Sequence, residues 1–91
     1  MAPVMARVFI PVQMRELSGG AASVEVQGRT VKGIIAALEA QFPGIADRLC
    51  SGGSLAPGLT VSIDGAFAPS GLLSPVGAQS EIHFLPAIGG G

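Results

Sequence analysis

One stretch of this chain confines it to very few folds. Val31, Ile34, Ile35, Leu38 and Phe42 recur at helical spacing and form a single apolar stripe. Thr30 stands in front of the stripe as an N-cap, and Phe42-Pro43-Gly44 stops it. Elsewhere the apolar residues alternate or show no period. A chain with one main amphipathic helix and several half-buried strands must lay the helix across one face of a sheet. Gly33 interrupts the helix at a cost of about 1 kcal/mol relative to alanine, so close packing is expected there. Ile45 to Cys50 adds a short helical turn.

The strands are read from alternation. Arg7 to Val12 places Val8, Ile10 and Val12 on one face, with Arg7, Phe9 and Pro11 on the other. Pro11 marks a strand end or an edge. Gln13 to Ala22 holds the turn Gly19-Gly20, and Ser23 to Gln27 alternates again, which predicts a hairpin. Ser51 to Gly58 has no period and reads as loop. Leu59 to Ile63 is the next strand, Asp64-Gly65 a tight turn, and Phe67 a short return. Pro69 to Ser80 is loop with Leu72, Leu73 and Val76 tucked inward. Glu81 to Ile88 is the last strand. The order gives an α+β roll, a mixed sheet of four to five strands packed on one main helix, with the far sheet face left to solvent or a partner.

Composition narrows the function classes. The chain is 48% apolar and 12% charged, which excludes disorder driven by charge and leaves neutral surface to expose. The net charge of −1 and the scatter of Arg7, Arg15, Arg29, Lys32 and Arg48 argue against a nucleic-acid partner. No apolar run reaches the roughly 20 residues of a membrane span. Met1 to Ala6 lacks the basic start of a signal peptide, so a cytoplasmic location is expected. Cys50 is the single cysteine and His83 the single histidine, so neither an internal disulfide nor a multi-histidine metal site is expected. Cys50 reads as a structural residue at a helix end, Lys32 as a solvated surface residue, and Gly52-Gly53 as an ordinary loop pair.

The last strand runs into Gly89-Gly90-Gly91. Glycines have no Cβ, so such a run fits a slot too narrow for side chains and delivers a terminal carboxylate. The rest of the chain decides between a working tail and an idle one.

The whole pattern resembles the bacterial sulfur-carrier family of MoaD and ThiS type, which has the ubiquitin-like β-grasp fold. Arg15-Glu16-Leu17 followed by Gly19 resembles the family's loop after its first strand. Phe42-Pro43-Gly44-Ile45 is similar to the segment that closes its helix, and Ile63-Asp64-Gly65 to its later turn. Leu85-Pro86-Ala87-Ile88-Gly89-Gly90-Gly91 resembles the family ending, with Gly90-Gly91 as the terminal pair and Gly89 in the place of a small residue. The family's acidic turn before the last strand is replaced by Gly77-Ala78-Gln79-Ser80. Leu38 to Phe42, Gly44-Ile45, Arg48-Leu49, Ile10-Pro11, Gly19-Gly20 and Leu85-Pro86-Ala87 lean toward the carrier branch used in mycobacterial cysteine synthesis.

The resemblance implies a β-grasp domain over residues 1–88 and a flexible tail over 89–91. It implies that an E1-like adenylyltransferase and sulfurtransferase, using ATP and magnesium, activates the Gly91 carboxylate for conversion to a thiocarboxylate. Gly90 and Gly89 would thread the tail. The sulfur then goes to an acceptor enzyme, either cysteine synthase-like or a molybdopterin synthase large subunit. The carrier is thus a cosubstrate with no catalytic residue, metal or resident cofactor of its own, or the small subunit of a molybdopterin-synthase-type complex. Outward positions beside the tail's root, Leu85, Phe9, Pro11 and His83, are the expected docking residues, Leu85 because its family counterpart lies at an interface. Two other classes remain: a ubiquitin-like modifier conjugated to lysines through Gly91, and a β-grasp binding module that transfers nothing.

Overall fold

The computed structural model describes residues 5–68 and 70–86. The expectations for Gly89, Gly90, Gly91 and the domain boundary at 88 lie outside these residues. Among the described residues seven strands and two α-helices follow in chain order: β1 Met5–Phe9, β2 Ser23–Gln27, α1 Val31–Gln41, α2 Ile45–Leu49, β3 Cys50–Ser51, β4 Ser54–Leu55, β5 Leu59–Ile63, β6 Ala66–Phe67 and β7 Glu81–Pro86. Five strands make one sheet in the order β2-β1-β7-β5-β6. The central pair β1–β7 is parallel and the other pairs are antiparallel. The first and last strands are therefore neighbours, which puts both of their outward faces on the same surface.

The inner face is closed by the helices. Val8, Ile10, Val26, Val61, Ile82 and Phe84 of the sheet side meet Val31, Ile34, Ile35 and Leu38 of α1, with Ile45 and Leu49 of α2 sealing one end. Each such side chain contributes about 1.5–3 kcal/mol relative to exposure. The α1 N-terminus forms as its sequence demands: the Gly33 N–H donates to Thr30 Oγ1 at 3.1 Å. Glu39 joins the two helices. Its carboxylate accepts from the Ala46 N–H at 2.9 Å and from the Gly44 N–H at 3.0 and 3.1 Å. These bonds, that from Ala46 foremost, hold its carboxyl below the usual range.

Four local expectations are corrected. β1 ends at Phe9, and a 3-10 turn over Val12–Met14 swings Val12 outward to 71% exposure. Leu73 is 74% exposed because it closes another 3-10 turn, Gly71–Leu73, while Leu72 and Val76 do pack inward. The stretch after α2 is a small hairpin, β3–β4, whose turn Gly52-Gly53 takes positive φ at both positions. The tight glycine is Gly28, not Gly33. A Cβ on Gly28 would lie 2.8 Å from Ile34 Cδ1 and 2.9 Å from Ile34 N, whereas one on Gly33 meets only ordinary contacts, the nearest at 3.5 Å.

The turn before β7 survives without its acids. Asp64, at positive φ in the β5–β6 turn, accepts from Ser80 Oγ at 3.0 Å and from the Glu81 N–H at 2.8 Å. Ser80 Oγ in turn accepts from the Gly77 N–H at 3.0 Å. One aspartate thus fixes the entry of β7, and with it the register of the strand that leads toward the tail.

Candidate docking face

Strand register lines up one row of outward residues across the sheet: Ser23 on β2, Phe9 on β1, His83 on β7, Ser62 on β5 and Phe67 on β6. The Phe9 and His83 rings stack nearly parallel, with centroids 4.2 Å apart and planes 6° off. His83 Nε2 lies 4.0 Å from Glu81 Oε1, the outer limit of an ion pair. Ser62 is only 8% exposed because it lies in register between His83 and Phe67. Phe67 itself is 64% exposed at the sheet edge. Sequence reading gave it only a return strand; its pairing with Ser62 is what assigns it to this face.

At the tail end of the face lies a groove of about 340 Å³. Phe9, Pro11, Val12, Arg15, His83 and Leu85 are among its lining. The four expected docking residues therefore meet in one place. Val12 and Arg15 join them through the turn after Pro11, which no alternation pattern reveals. Arg15 is held by its Nε–H, which donates to the Ile10 carbonyl at 3.1 Å. The same loop is tied to α2, since Arg48 donates to the Gln13 carbonyl at 3.1 Å and lies 3.6 Å from Glu16.

The opposite end of the face is polar. Arg7 stands in register between Glu25 and Glu81, and these three with Gln79 line a hollow of about 370 Å³. Cys50 lies elsewhere, on the β3–β4 hairpin, half-buried, with its thiol pushed up by burial and so protonated at neutral pH. Lys32 is exposed on α1. Among the described residues no three His, Cys, Asp or Glu side chains gather as metal ligands, and no helix is long and apolar enough to cross a membrane.

A mixed five-stranded sheet carrying one main helix on its inner face is the ubiquitin-like β-grasp, and its outer face runs from a polar end to an apolar groove. The chain belongs to the ThiS family, whose model matches residues 8–91. It is 32% identical to the sulfur carrier protein CysO of Mycobacterium tuberculosis over 91 positions, covering 92% of this chain and 96% of that relative. Among solved structures it is similar to the Amycolatopsis orientalis BexX/CysO complex, with 32% identity, a TM-score of 0.85, and coverage of 94% of this chain and 99% of the matched one. Mycobacterium tuberculosis CysO gives 30% identity and a TM-score of 0.84 over 91% and 99%. This likeness lies on the side of the cysteine-synthesis carriers. The small archaeal modifier protein 1 of Methanosarcina acetivorans shares the fold, with a TM-score of 0.79 at 20% identity over all of both chains.

Proposed function

We propose that this protein carries sulfur on the carboxylate of Gly91. The observation that carries the reading is the family match running through residue 91, in a chain whose curated relatives are sulfur carrier proteins. The fold supports it: β7 brings the chain to Pro86 beside the apolar groove. Five further residues at about 3.3–3.6 Å each reach roughly 17 Å, enough to enter a buried active site while the body stays docked. Gly90 and Gly89 keep that reach thin.

The chemistry follows from the carboxylate's poor electrophilicity. An E1-like adenylyltransferase, using its own ATP and magnesium, lets a Gly91 carboxylate oxygen attack the α-phosphorus, with pyrophosphate leaving. A sulfur nucleophile at the hydrosulfide level then attacks the acyl carbon, AMP departs, and a thiocarboxylate remains. At an acceptor enzyme the thiocarboxylate sulfur attacks an electrophilic carbon of that enzyme's substrate, whose leaving group departs, and water then cleaves the acyl C–S bond and restores the Gly91 carboxylate. The likeness to CysO favours a cysteine synthase-like acceptor over the large subunit of molybdopterin synthase. The chain's own residues do no bond-making beyond the terminal carboxyl. Phe9, Pro11, His83, Leu85 and Phe67 hold the partner through apolar and aromatic contact.

The test is ATP–pyrophosphate exchange by the host adenylyltransferase with the full chain and with a chain lacking Gly91. Exchange is expected for the first alone. Equal exchange by both chains, or none by either, refutes the assignment of Gly91.

A further inference from the structure

We propose, resting on the docking role just given, that Arg15 is the ionic anchor of the groove, and that the partner it fits sets an apolar side chain in the groove with a carboxylate beside it. Three observations lead there. The groove is walled by apolar groups from Phe9, Pro11, Val12 and Leu85, so its natural occupant is an apolar side chain. Arg15 is the one cationic side chain among its lining residues. Its guanidinium is fixed at one corner by the Nε–H bond to Ile10, leaving the terminal N–H groups as a fork held at the groove wall.

Among the described residues no carboxylate lies within 4.0 Å of that fork. Among the described residues the close acid–base contacts are Arg48 with Glu16 at 3.6 Å and the His83 imidazole with Glu81 at 4.0 Å. Glu16, the acid nearest to Arg15 in sequence, thus faces Arg48. Charge at the other end of the face has the opposite balance, since Glu25 and Glu81 flank a single Arg7. The docking face therefore has a direction: cation beside the tail's root, net acid at the far end. A complementary partner places its carboxylate where the tail enters and a cation toward Glu25 and Glu81. That polarity fixes the orientation in which the tail meets the active site, which apolar burial alone leaves loose.

The experiment uses the full chain as the substrate of the host adenylyltransferase, read by pyrophosphate exchange at several salt concentrations. Arg15→Gln keeps a donor for the Ile10 carbonyl and removes the charge; Arg15→Lys keeps the charge without the fork. Arg15→Gln should raise KM about tenfold with kcat unchanged and flatten its salt dependence. Arg15→Lys should fall between that variant and wild type. A KM and salt dependence in Arg15→Gln equal to wild type overturn the proposal. Should Arg15→Gln melt at lower temperature than wild type, the wild-type salt series decides: KM rising with salt supports the anchor and a flat KM refutes it. Loss of exchange by wild type itself would instead count against Gly91 activation, so the two failures are separable.

Discussion

The contact between Gly28 and α1 yields a prediction of definite sign. Replacing Gly28 by alanine puts a Cβ 2.8 Å from Ile34 Cδ1, 2.9 Å from Ile34 N and 3.1 Å from Gly33 C. The first clash can be relieved by a rotamer change. The other two involve helix backbone and require α1 to move off the sheet. Overpacking of this kind costs typically 1–3 kcal/mol, and backbone contacts place this case in the upper part of that range, about 2–3 kcal/mol. For a domain of this size the melting temperature should fall by about 10–20 °C. Gly33→Ala should do the reverse. Its Cβ meets Thr30 Oγ1 at 3.5 Å and Gly28 Cα at 3.8 Å, both ordinary contacts, so the helix gains up to about 1 kcal/mol. Thermal unfolding followed by circular dichroism measures both. A Gly28→Ala variant within about 0.5 kcal/mol of wild type, or Gly33→Ala as the more harmful change, would refute the packing argument. The proposed docking face is on the far side of the sheet, so at a temperature where Gly28→Ala stays folded its KM for the adenylyltransferase should match wild type.

Three other perturbations address the surface, the helix junction and the cysteine. Leu85→Ala and Phe67→Ala remove side chains that are 37% and 64% exposed; each should raise KM for the adenylyltransferase about tenfold and leave the melting curve nearly unchanged. Glu39 has its carboxyl lowered by the N–H groups of Ala46 and Gly44, so its contribution is present above the unfolded carboxylate range and is lost as pH falls through its folded value. Relative to Glu39→Gln, the wild-type stability advantage in urea titrations should therefore hold at neutral pH and shrink as pH drops below about 4.3; an advantage that grows on acidification contradicts this sign. Cys50, protonated through burial, should alkylate more slowly than a free thiol at pH 7, and Cys50→Ala should accept sulfur as wild type does; loss of sulfur loading in that variant would make the thiol part of the chemistry.

Much of this architecture is visible in the alternation of the chain. Val8 and Ile10 against Phe9, and Ile82 and Phe84 against His83 and Leu85, already divide the central strands into two faces, and the α1 stripe says which face is covered. The pairing of β1 with β7 then turns separate outward residues into one groove. What escaped the pattern depends on changes of chain direction. Val12 and Leu73 look like inward residues until 3-10 turns rotate them out. Arg15 reaches the groove only because the turn after Pro11 folds its loop back toward Leu85. Phe67 belongs to the face by its register with Ser62, and a two-residue strand is too short to show a period. Gly28 and Gly33 look alike in sequence, since the neighbour that separates them, Ile34, is brought against Gly28 only by packing of the helix.

The central claim concerns one atom, and mass spectrometry reads it directly. The full chain is incubated with the host adenylyltransferase, ATP, magnesium and a sulfide donor, and its intact mass and terminal peptide are measured. The account predicts the mass gain of one oxygen replaced by sulfur, confined to Gly91 and reversed on transfer to a cysteine synthase-like acceptor. Persistent absence of that gain in the presence of active adenylyltransferase, or its location at Cys50, would contradict it.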